Sequence, residues 1–124
     1  EGEMMSWEFR SDQAIYPQLV SIIKRRIVTG VYPAGSKLPS VRELAEESGV
    51  NPNTMQRALI GLEQEGLVYT QRTAGRFVSE DKSMLDGIKG EEAKSLTAEY
   101  YAKLKKLGYS RTQMIDFINM QGEE

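Results

Sequence analysis

PSVRELAEESGVNPNTMQRALIGLEQEG, residues 39–66, reads as two short helices joined by a tight turn. Ser40 and Glu43 form the S-x-x-E pattern of a capping box, which predicts a helix beginning at Val41. Leu44 and Ala45 give that helix a small apolar face, and Gly49 supplies the left-handed residue on which a helix stops. Asn51-Pro52 starts a second helix. Asn51 is suited to the N-cap, and Pro52 to the first helical position, where its missing N–H costs nothing. Met55, Ala58, Leu59 and Leu62 recur at i, i+3, i+4 and i+7 as one apolar stripe, opposite Asn53, Gln56 and Arg57, and Gly66 closes the segment. A helix, a short glycine-bearing turn and a helix with a polar outer face make a helix-turn-helix, whose second helix enters a DNA major groove. Such helix pairs also occur as plain packing units, so the flanking segments decide.

Upstream, Ile15, Leu19, Ile22, Ile23 and Ile27 predict an amphipathic helix over residues 14–29 with Gly30 as its stop and Pro17 in its first turn. Lys24, Arg25 and Arg26 near its end are either a solvated face that complements the helix dipole or phosphate contacts. Residues 31–38, VYPAGSKL, are turn chemistry, with Lys37-Leu38 as a minimal strand. Downstream, LVYT and RFVS, around the separator QRTAG, predict a β-hairpin that packs Leu67, Val68, Phe77 and Val78 on the helices and carries Arg72 and Arg76 at its tip. Three helices and such a hairpin form a winged helix. Ahead of it, Trp7 and Phe9 alternate with polar residues, as in a short strand, an arm on the body or a partly ordered terminus.

The chain has 124 residues, room for one domain or one with a small appendage. It contains neither cysteine nor histidine, which removes disulfides, Cys/His zinc sites, thiol nucleophiles and imidazole acid–base chemistry. No carboxylate pair falls at an interpretable spacing, so an enzyme is not expected, nor is a cofactor or metal. No run is long enough to span a membrane and no signal segment opens the chain, which points to the cytoplasm. The net charge of −2 argues mildly against a nucleic-acid partner. Residues 14–80, however, hold eight Lys/Arg against six Asp/Glu, the most basic part of the chain.

The combination LPS-x-RELA, GVNPNT-x-x-RAL, LE-x-EGL and GRFV resembles the N-terminal winged helix of GntR-type bacterial transcription regulators, over roughly residues 12–80. VNPNT and the short C-terminal part look like the YtrA-like branch, whose helical tail serves dimerisation. The resemblance implies that Arg42 contacts the operator, that Asn53, Thr54, Gln56 and Arg57 lie on the exposed first turns of the recognition helix, and that Gly75 and Arg76 match the wing tip. Asn and Gln suit adenine and Arg suits guanine. Thr54 is also placed to serve the cap, and Arg42 to bridge Glu46 at i+4. Many relatives carry an arginine directly after the capping residue; here it is Pro52.

Residues 80–124 carry Met84, Leu85, Ile88, Leu96, Tyr100, Leu104 and Leu107 at roughly helical spacing, with Gly87 and Gly90 marking either a kink or a loose first turn. Ser110 and Gln113 form a second capping box before Met114, Ile115, Phe117 and Ile118. That apolar surface needs the winged helix, the tail itself or a second chain to cover it, and a second chain suits a two-fold operator. Tyr100, Tyr101 and Tyr109 either line a pocket for an effector of unknown identity or belong to the tail's own packing. The expected fold is mainly α with a small β-hairpin: a winged helix-turn-helix DNA-binding domain at 1–79 and a helical dimerisation segment at 80–124. The expected function is a homodimeric repressor on double-stranded DNA. The alternative is a winged-helix protein-interaction module without specific DNA binding.

Overall fold

The computed structural model describes residues 7–122. In chain order its elements are α1 (Ile15–Val28), α2 (Val41–Ser48), α3 (Pro52–Gln64), β1 (Val68–Gln71), β2 (Gly75–Val78), α4 (Lys82–Lys106) and α5 (Arg111–Asn119). Two compact units divide at Lys89 and Gly90, inside α4.

In the first unit, the apolar stripe of α1 buries Leu19, Ile23 and Ile27 against Leu44 and Ala45 of α2 and against Met55, Ala58, Leu59 and Leu62 of α3. The helix boundaries follow local chemistry. Ser40 Oγ accepts from the Glu43 amide at 3.0 Å while Glu43 Oε1 accepts from the Ser40 amide at 2.8 Å, so the capping box is complete. Gly49 then turns left-handed with φ 75°, and Asn51 Oδ1 accepts from the Asn53 amide at 2.7 Å to open α3 behind Pro52.

The hairpin pairs Val68 with Val78, Tyr69 with Phe77, Thr70 with Arg76 and Gln71 with Gly75, leaving Arg72-Thr73-Ala74 as the turn. Lys37 bridges Phe77 on the other side of β2, and the Leu38 amide donates to Arg76 O at 2.9 Å, so the minimal strand expected there is reduced to a single bridge. Alternation along the strands corrects two expectations. Val68 and Val78 face the helices and are buried with Leu67, but Phe77 lies on the opposite face, half-buried and stacked on Tyr69 at 5.7 Å. Arg76 shares the inner face with Val78 and is not at the tip.

The arm reading fits residues 7–10. Trp7 and Phe9 pack on the core, while the Arg10 amide donates to Gln18 Oε1 at 2.7 Å and Gln18 Nε2 donates back to Arg10 O at 3.0 Å. Residues 1–6, the rest of that N-terminal segment, lie outside the described residues. Arg26 departs from the solvated-face reading: it is 3% exposed, its guanidinium lies 4.0 Å from the Trp7 ring centre, and Nη1 donates to the Tyr32 hydroxyl at 3.0 Å. The Trp7 indole N–H donates in turn to Glu47 at 3.3 Å.

α4 opens where Asp81 Oδ1 accepts from the Met84 amide at 3.1 Å, and it runs unbroken through Gly87 and Gly90. Each glycine costs a helix roughly 1 kcal/mol relative to alanine. The first turns offset that cost by burying Leu85 and packing Met84 and Ile88 on the core. In the second unit, the remainder of α4 packs on α5. The Tyr100 hydroxyl donates to Met114 O at 2.7 Å, Met114 is buried, and Tyr109 meets Phe117 edge-on at 5.0 Å. The capping box of Ser110 and Gln113 is complete, at 2.9 and 3.2 Å.

Candidate nucleic-acid interface

α3 divides its residues cleanly. Met55, Ala58, Leu59 and Leu62 hold it to the core, which turns Asn53, Gln56 and Arg57 to the surface. No hydrogen bond among the described residues occupies the side chains of Asn53 or Gln56. Thr54 is half-buried, and the cap is made by Asn51 rather than by its hydroxyl. Arg57 is exposed, with its guanidinium 4.4 Å from the centre of the Tyr16 ring on α1.

Arg42 is exposed in the first turn of α2, and no ion pair to Glu46 forms among the described residues. Arg72 is exposed in the hairpin turn, beside Thr73 with φ 67°. Gly75 has φ 114°, and a methyl group placed there would meet the Lys37 side chain at 3.1 Å. The positive φ suits glycine, and a larger residue would also have to displace the end of the Lys37 side chain. Arg76, by contrast, is paired with Glu63 of α3 at 3.6 Å, its side chain 18% exposed. Lys24 pairs with Glu65 at 3.0 Å.

Six of the cations thus fall into two groups. Lys24 and Arg76 are neutralised by acids near the end of α3, whereas Lys37, Arg42, Arg57 and Arg72 meet no carboxylate among the described residues. A cleft of about 490 Å³ opens between α2 and the hairpin, lined by Lys37, Ser40, Glu43, Thr70, Gly75 and Arg76. It brings the wing residues Gly75 and Arg76 beside the N-terminus of α2. Tyr16 and Glu63 were not singled out by sequence reasoning, and Lys37 only as part of a minimal strand. The bridge from Lys37 to Phe77, the ion pair of Glu63 and the contact of Tyr16 with Arg57 are tertiary contacts that helix and strand periodicity do not report. Among the described residues, no group of His, Cys, Asp or Glu is placed to hold a metal, and no helix is long and apolar enough to cross a membrane.

A three-helix core with a β-wing and an outward polar helix defines a winged-helix DNA-binding protein. Residues 15–78 match the family of bacterial regulatory proteins, gntR family, and the chain belongs to it. It is 35% identical over 114 residues, 92% of this chain and 94% of the relative, to the uncharacterized HTH-type transcriptional regulator YhcF of Bacillus subtilis. It is 41% identical over 78 residues, 63% of this chain and 60% of the relative, to the HTH-type transcriptional repressor YtrA of the same organism. Among solved structures, a GntR family transcriptional regulator from Listeria monocytogenes superposes with a TM-score of 0.86 at 39% identity, covering 92% of this chain and all of that one. The DNA-binding domain of AraR in complex with operator ORX1 superposes with a TM-score of 0.52 at 27% identity, over 58% of this chain and 93% of that one. The protein is a gntR-family transcription regulator similar to YtrA, with a winged-helix DNA-binding domain, and not an enzyme.

Proposed function

We propose that the protein is a cytoplasmic repressor that binds a two-fold operator as a homodimer. In this reading the winged helix contacts DNA, and the helical segment over residues 80–124 joins two copies. The observation that carries it is the outer face of α3, where Asn53, Gln56 and Arg57 present donors and acceptors with no competing hydrogen bond among the described residues. Gln56 reads a base, since a bidentate amide is worth about 1–3 kcal/mol of discrimination. Asn53, Thr54 and Arg57 flank it, Arg42 and Arg72 meet phosphates, and Gly75 lets the wing approach the backbone closely. Arg76 reaches a phosphate only by giving up Glu63.

Pairing is supported by the surface of the tail. Leu96, Leu107, Ile115, Ile118 and Met120 are each at least half exposed, an apolar set that a second copy would cover.

The test is a titration of the full chain and its Gln56→Ala variant against an operator obtained by selection of bound DNA, its single-base variants and random duplex. Gln56→Ala should relax preference at one position per half-site while sparing non-specific affinity. Three to five phosphate contacts per subunit should give a log–log salt slope of roughly −5 to −9. Unchanged base preferences together with a flat salt dependence would leave the protein-interaction module as the better reading.

A further inference from the structure

Tyr16 stands on α1, outside the helix-turn-helix, yet two residues of α3 receive it. Its ring centre lies 4.4 Å from Arg57 Cζ. Its hydroxyl sits where a methyl group on Gly61 would come within 3.1 Å. Arg57 and Gly61 are four residues apart, hence neighbours along one edge of α3. The phenol ring therefore lies lengthwise along that edge, with its centre by the guanidinium and its hydroxyl over the glycine.

Gly61 is part of this arrangement. A glycine inside a helix weakens it, and here the missing side chain leaves room for the phenol.

We propose that Tyr16 is a positioning residue that sets the orientation of Arg57 for DNA. The proposal rests on the reading of Arg57 as a DNA contact. A guanidinium against an aromatic ring is attracted through its face, while its five N–H donors stay in its own plane. Arg57 is exposed, and its donors meet no acceptor among the described residues. The ring thus removes much of the rotational freedom of a long side chain without consuming any of its hydrogen-bonding capacity. Ordering that must otherwise accompany docking is completed in the free protein. A lysine at position 57 would keep the charge but lose the planar donor fork that a purine edge or a phosphate accepts.

The experiment is a double-mutant cycle on the full chain, read by fluorescence anisotropy of labelled operator, with Tyr16→Leu, Arg57→Ala and the pair, and with Tyr16→Phe as the conservative variant. Tyr16→Leu should weaken operator binding about 2–5-fold per half-site, the worth of an exposed cation–π contact. Tyr16→Phe should bind as the parent does, and Tyr16→Leu should add nothing once Arg57 is alanine. Equal losses in both backgrounds would make Tyr16 a packing residue and overturn the proposal. A Tyr16→Phe loss as large as that of Tyr16→Leu would place the effect on the hydroxyl and overturn it too. An Arg57→Ala variant with parental affinity would sink the DNA role of Arg57 itself, whereas a weakened Arg57→Ala beside an unaffected Tyr16→Leu would sink only the positioning role.

Discussion

Replacing Glu63 by glutamine should tighten DNA binding, although it removes an ion pair from the free protein. Arg76 faces inward from β2 because it alternates with Phe77 and shares its side of the strand with Val78. There its Nε lies 3.6 Å from the Glu63 carboxylate, buried and without a hydrogen-bond partner among the described residues. The Glu63 side chain is 36% exposed, so water screens the pair, and such pairs are worth about 0.2–1 kcal/mol. If Arg76 exchanges Glu63 for a phosphate on docking, that energy opposes binding in each subunit. Glu63→Gln then raises affinity about 1.4–5-fold per subunit, or about 2–25-fold for a dimer. Loss of a negative charge beside the DNA backbone acts in the same direction. Equilibrium binding to operator and random duplex across a salt series separates the contributions. Glu63→Gln should leave the salt slope unchanged, since the phosphate contacts are the same. Arg76→Ala should weaken binding to all sequences alike and make the slope shallower by about 0.9 per subunit. Weaker binding by Glu63→Gln, with an unchanged slope for Arg76→Ala, would refute the exchange and make the ion pair a strut that holds the wing to α3.

Ile115→Glu with Ile118→Glu, on an exposed face of α5, should convert the proposed dimer to monomer in sedimentation and reduce affinity for a two-half-site operator far more than for one half-site. Leu59→Ala, in a side chain 1% exposed, should cost about 2–5 kcal/mol in urea unfolding, and a loss below 1 kcal/mol would contradict its place at the centre of the core. Burial raises the Tyr32 pKa above its usual value of 10, opposed by the hydrogen bond and charge of Arg26. The unfolded chain therefore releases this proton first, so the stability contribution is present below about pH 10 and lost as the pH climbs through the folded value. Urea midpoints at about pH 8 and pH 11 should fall less for Tyr32→Phe than for the parent.

The elements most legible in the sequence were those set by neighbours in the chain. Both capping boxes, Ser40 with Glu43 and Ser110 with Gln113, need only a spacing of three, and the α3 stripe needs only helical periodicity. Phe77 shows where local reading stops. Its strand was evident, but in a four-residue strand one step of register exchanges core for surface, and the neighbouring Val78 took the inner place. Arg26 shows a second limit, since an arginine in a basic run looks solvated until an indole and a phenol from other segments close over it. The continuity of α4 through Gly87 likewise goes with the packing of Met84, Leu85 and Ile88 on the core, which propensity does not contain. At the candidate interface, residue types and helical face marked Asn53, Gln56 and Arg57. The acid that holds Arg76 and the ring that meets Arg57 come from tertiary proximity alone.

Trp7 is the single tryptophan of the chain, and its clasp by Arg26 and Glu47 makes it an intrinsic optical gauge of the fold. Its indole bridges groups from α1 and from α2, so its surroundings record whether those two helices and the N-terminal arm are assembled. Detaching the arm would carry the half-buried ring into water and shift its emission to longer wavelength. The state of this corner of the molecule can thus be followed in the unmodified protein, without an attached dye.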